Sequence, residues 1–216
     1  NEKQQVPHNL YVLCHDPYGQ SQAADSTSLG AAYVIKRPNN LSRPDDFIVA
    51  SYVGRPMSSD EYNRNLFLLA DYYGCKIGFE NDRGEIIAYA KRYRKLHKLQ
   101  EEFEMLDKKE LQSRTVKRQY GMHMTEQRKR QGELYIRDWL NTVRNKDEDG
   151  NVLLNLHKIY DPALLTELMK FNHKGNFDRV MALMIGMYHT RELYNTEVKD
   201  ILEDNSANTW FDNMYK

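Results

Sequence analysis

Leu10-Tyr11-Val12-Leu13-Cys14-His15-Asp16-Pro17-Tyr18-Gly19 is a short apolar run that stops at a proline and a glycine. It reads as a buried strand followed by a loop. Working outward, Gly30 to Ile35 and Phe47 to Val53 are two further strand candidates, rich in Val, Ile, Ala and Tyr. The turn-forming stretches Pro38-Asn39-Asn40 and Pro44-Asp45-Asp46 separate them. Three consecutive strands with short connections predict an antiparallel meander.

The pattern then changes period. Ser58-Ser59-Asp60-Glu61 offers N-cap chemistry, and Tyr62, Leu66, Leu69, Ala70 and Tyr73 recur at helical spacing up to Gly74. Cys75 to Phe79 follows as a fourth strand with Glu80 at its end. A strand reached through a helix is expected parallel to its predecessor, by a right-handed crossover. Residues 84–106 read as helix, and Thr115 to Tyr120 as a fifth strand. A helix from Thr125 to about Val143 precedes a polar turn at 146–151 and the short apolar run Val152 to Leu156. Leu164, Leu165, Leu168 and Phe171 mark another helix. The last starts near Phe177 and is apolar nearly all round, so it should lie buried against the sheet. Strands first, then helices alternating with strands, predict an α/β class with a mixed central sheet, its first three strands antiparallel, and flanking helices.

Composition narrows the class. With 40% hydrophobic and 29% charged residues in 216, the balance is that of a globular domain. No apolar run approaches a membrane span, and no signal-peptide core stands at the start, so a cytoplasmic protein is expected. Residues 1–9 read as a polar remnant, 10–204 as one domain and 205–216 as a loosely held tail. The two cysteines, Cys14 and Cys75, sit in apolar runs and are expected to act as small core residues; no CxxC suggests zinc. Formal net charge is zero, so any attraction for nucleic acid must come from local segregation of charge.

Three separated acids are the candidates for chemistry. Asp16 follows the first strand, Glu80 ends the fourth, and Asp178 opens the last apolar helix. Carboxylates suit hard divalent cations such as Mg2+ or Mn2+. Two such ions about 3.5–4 Å apart can hold the attacking and leaving oxygens of a phosphoryl displacement. Taken singly each acid has a commoner role: Asp16-Pro17 is a turn element, and Glu80 and Asp178 suit helix starts. His15, His123 and His173 carry less weight, because a lone histidine is usually structural or exposed.

Placed in order, these segments resemble the nuclease domain of large terminase subunits from tailed double-stranded-DNA phages. The resemblance rests on Tyr11 to Pro17, on Asp25 to Ala32, and on Phe79-Glu80-Asn81-Asp82-Arg83-Gly84. It continues through Tyr120-Gly121 with Thr125, and through Leu164 to Leu168 leading into Gly175 to Leu183. It covers roughly residues 10 to 190. What it implies is a ribonuclease-H-like fold and two-metal cleavage of concatemeric viral DNA during packaging, with Asp16, Glu80 and Asp178 as ligands. Many relatives place a second acid beside the last Asp, whereas Phe177 and Arg179 flank Asp178 here, so Asp82 or Asp25 becomes the candidate fourth carboxylate. No GxxxxGK[ST] loop occurs in the chain. The resemblance therefore implies an ATPase motor elsewhere in a parent chain, with small terminase and portal as partners, in the host cytoplasm.

Double-stranded DNA would be held by basic residues that sit on phosphates without reading sequence. The candidates are Lys91, Arg92, Arg94, Lys95, Lys117, Arg118, Arg128 and Lys129, with Arg83 and Lys174 near the proposed ligands and Tyr89, Tyr93 and Tyr120 interleaved. A charge run on a helix is more often a solvated face. The rival readings are a non-catalytic DNA- or portal-binding module and another ribonuclease-H-like nuclease such as a junction resolvase.

Overall fold

The first three strands form where the apolar runs put them: β1 (Tyr11–Asp16), β2 (Gly30–Lys36) and β3 (Phe47–Gly54). The computed structural model describes residues 6–18, 28–41, 43–82, 84–103, 120–172 and 175–194. Both pairings are antiparallel, with Asp16 opposite Ala31 and Gly30 opposite Gly54. α1 (Ser59–Tyr72) then leads to β4 (Ile77–Phe79). A crossover to the preceding strand would set β4 beside β3. Instead β4 runs parallel to β1, with Leu13 opposite Ile77 and His15 opposite Phe79, and the order is β3-β2-β1-β4. Burial explains the choice. Val12, Leu13 and Cys14 are wholly buried, so β1 needs a partner on both edges, whereas β3 is half-exposed along most of its length and tolerates an edge.

Both faces of the sheet are covered, which is why β1 and β2 read as continuous apolar runs rather than alternating ones. One face, carrying Val12, Cys14, Ala31, Tyr33 and Ile35, packs against α3 (Glu126–Leu140), α4 (Pro162–Lys170) and α5 (Asp178–Glu192). The other, with Leu13, Ala32 and Val34, packs against α1 and α2 (Glu85–Arg92). α5 is buried from Ala182 to His189, as its all-round apolar character predicts. It lies so close to β1 that a Cβ on Gly186 would meet Cys14 Sγ at 2.8 Å. Cys14 and Cys75 are both buried free thiols, one under each face.

Two predicted elements come out differently. Where a helix is expected over 84–106, the described residues form α2 and a 3-10 turn at Leu96–Lys98, broken where Arg94 takes a positive φ of 56°. Beyond it Leu99 bridges Ile77 and Glu101 bridges Tyr120, so sheet-like pairing draws the chain out of the helix. Val143 does not end α3 but begins β5 (Val143–Lys146), which pairs with β6 (Val152–Leu154) in a separate hairpin. The expected fifth strand, apart from Tyr120, falls outside the described residues, as does the tail. Among the described residues no helix is long and apolar enough to cross a membrane.

Candidate metal centre

β1 and β4 are parallel, so their C-terminal ends lie side by side, and these ends carry Asp16 and Glu80. The Glu80 N–H donates to the His15 carbonyl at 3.3 Å, and the Asp16 carboxyl is close enough to influence that of Glu80. Asp178 arrives from the first turn of α5. Its Oδ2 accepts from the Leu29 N–H at 2.7 Å, its Oδ1 from the Ser28 hydroxyl at 3.3 Å, and Asn176 Nδ2 donates to Oδ2 at 3.2 Å. Leu29 stands two residues before Ala31, the ladder partner of Asp16, so all three acids gather at one end of the sheet. The buried Tyr62 hydroxyl feels the negative charge of both Asp16 and Asp178.

The tightest ligand group among the described residues is a different one. Glu80, Asp82 and His123 each present a ligand atom, all within 4.8 Å of one another, in an arrangement able to hold a metal ion. His123 Nδ1 lies 2.5 Å from Asp82 Oδ1. A second parallel bridge, between Glu80 and Met122, sets this register. Met122 N–H donates to the Phe79 carbonyl at 2.9 Å, and Asn81 N–H to the Met122 carbonyl at 2.8 Å. Gly121 permits it: φ is 69°, and a Cβ there would stand 2.9 Å from the Phe79 carbonyl oxygen.

The electrostatics suit a cation. Burial first, then the charge of Asp82 and a hydrogen bond with it, push the Glu80 carboxyl up to about 7, against the opposing pull of Lys129 and of Asp16. Burial also raises Asp178, although Leu29, Ser28, Asn176 and Arg179 pull it down. Buried acids that crowd one another are relieved either by protons or by a bound positive ion. His15, by contrast, is structural: it is buried, with Nδ1 3.2 Å from the Ala31 carbonyl, and burial lowers it to about 4.

The basic candidates separate into groups. Lys129, in the first turn of α3, is close enough to lower Glu80. Arg128 is buried, and its Nη1 donates to the His123 carbonyl at 2.7 Å, so it holds the loop rather than a phosphate. Lys95 lies on Asp71, beside the N-terminal end of β4 and away from Glu80, and Arg92 pairs with Asp60. Lys91 and Arg94 are exposed. Asp25, Arg83, Lys117, Arg118 and Lys174 fall outside the described residues. Two residues outside the sequence's candidate ligands and phosphate contacts belong near the acids. One is His123. The other is Arg55, whose Nη1 donates to the Ser28 carbonyl at 3.2 Å, beside Asp178. Comparison of the chain with protein-family models and with curated proteins finds no match to either.

Proposed function

We propose that this chain is a metal-dependent endonuclease of the ribonuclease-H type that cleaves double-stranded DNA, as the resemblance to terminase nuclease domains implies. The observation that carries the reading is the placement of Asp16 and Glu80 at the ends of adjacent parallel strands, with Asp178 accepting from the Leu29 N–H just before β2 beside them. Three antiparallel strands continued by a parallel fourth support the fold assignment. Oxygen-rich donors of this kind suit Mg2+ or Mn2+, and a pair of such ions would supply the activated water and stabilise the departing 3′ oxygen. Asp16, Glu80 and Asp178 would hold the ions. Lys129 and Arg55 offer positive charge beside them for the DNA backbone. Sequence-blind phosphate contacts are expected to dominate binding. The resemblance extends the reading to genome packaging, with an ATPase motor in a parent chain, small terminase and portal as partners, and the host cytoplasm as the place of action.

The test is supercoiled plasmid incubated with Mg2+ or Mn2+ and with chelator. Nicking or linearisation with metal, none with chelator, and loss in the Asp16→Ala, Glu80→Ala and Asp178→Ala variants is the expected result. Cutting that survives those variants overturns the site. Binding to DNA without cutting under every metal condition favours a non-catalytic module, and preference for branched substrates a junction resolvase.

A further inference from the structure

We propose that the cation positions of this centre are chemically unlike: the one formed by Glu80, Asp82 and His123 takes an imidazole nitrogen and prefers a first-row transition ion over Mg2+. The inference rests on the metal-centre reading above and deepens it. Asp16 and Asp178 offer only oxygen, which suits magnesium. His123 adds nitrogen, which suits transition metals, whereas Mg2+ demands near-octahedral oxygen and gives up its water reluctantly.

Geometry carries the argument. The three ligand atoms already lie within 4.8 Å of one another. His123 is held there from both sides of its backbone. Met122 is locked into the ladder with Phe79 and Asn81, and the Arg128 guanidinium donates to the His123 carbonyl. A buried arginine that donates to this loop carbonyl holds the His123 backbone in place before any ion arrives, which is how selective sites are prepared. The His123 and Asp82 side chains are each 41% exposed, so a hydrated ion can reach them. As a mere surface ion pair the two would contribute little to stability. Glu80 stands between the two groups, with Asp16 at the neighbouring strand end on one side and Asp82 and His123 on the other, and so is the carboxylate that the two positions share.

The experiment uses Mn2+ as probe. Electron spin-echo spectra of the Mn2+-loaded protein are expected to show nitrogen modulation that changes when histidine is 15N-labelled and disappears in His123→Asn. Calorimetric titration of His123→Asn is expected to show Mn2+ affinity down about tenfold or more, with Mg2+ affinity changed by less than about twofold. Mn2+ bound without nitrogen modulation, equal weakening of both ions, or no Mn2+ binding at millimolar concentration overturns the proposal. If His123→Asn fails to fold by circular dichroism, the wild-type spectrum with and without 15N-histidine decides alone. Failure of the nuclease reading is distinguishable: nitrogen modulation with intact plasmid removes only the enzyme, and cleavage without nitrogen modulation removes only this site.

Discussion

Asp46 and Glu80 are both carboxylates withdrawn from water, and their surroundings differ in sign. Asp46 lies in a closed network: Arg144 pairs with it, Asn155 Nδ2 donates at 3.1 Å and Trp139 Nε1 at 2.9 Å. Burial raises both acids. For Asp46 the next influences, Arg144, Asn155 and Trp139, all pull it back down. For Glu80 the next influence is another acid, Asp82, which raises it further. Desolvation alone therefore does not separate the two acids. The charge of their neighbours does. A satisfied network stabilises the fold, while a crowd of acids stays unfavourable until something positive joins it.

The largest effect is expected at the satisfied acid. Arg144→Ala leaves Asp46 buried without its cation and should cost about 3 kcal/mol or more in urea unfolding; a loss too small to measure would mean that the network is not closed. Next, divalent cation should stabilise the protein, by roughly 2.7 kcal/mol at a hundredfold excess over its dissociation constant. That gain should shrink in Glu80→Gln, and a thermal melt indifferent to Mg2+ and Mn2+ would dissolve the contrast between the two acids.

A buried base sharpens the comparison. Burial, then the positive charges of Arg37 and Lys76, lower His189 from its ordinary 6.5 to about 3. The unfolded chain takes up a proton below pH 6.5 that the folded chain refuses, so His189 contributes stability above that value and loses it on acidification. About 2 kcal/mol should go between pH 7 and pH 5 from this group. The slope should flatten in His189→Gln, and parallel pH profiles for the two proteins would refute the assignment. The smallest effect is expected from Glu80→Gln in chelator. Removing one charge from the crowd should leave stability within about 1 kcal/mol of the parent and no lower, whereas a marked fall would make Glu80 a structural residue like Asp46.

The parts of the fold legible in the sequence were those fixed by local pattern. The three apolar runs of the meander, the helix closing at Gly74, and α5 with Asp178 in its first turn need only period and turn chemistry. What long-range pairing fixes was not legible. β4 sits beside β1 because a fully buried strand needs two neighbours, a demand that no window of residues displays. The charged run after α2 has helical character, yet Leu99 pairs with Ile77 and pulls it straight. His123 was passed over for the same reason. Its partner Asp82 is 41 residues away, and long-range pairing of the Phe79–Asn81 and Tyr120–Met122 stretches brings them together. The one local hint was the turn glycine in Tyr120-Gly121-Met122-His123.

The close approach of α5 to β1 gives the molecule a built-in reporter of its own opening. Cys14 Sγ is sealed beneath Gly186 on one face of the sheet, Cys75 is buried under the other, and burial pushes both thiols up to about 12. Thiols so placed are expected to react fastest when the layer above them opens. The rates at which an alkylating reagent captures the two cysteines would therefore time the parting of the two helical layers separately, without any added label.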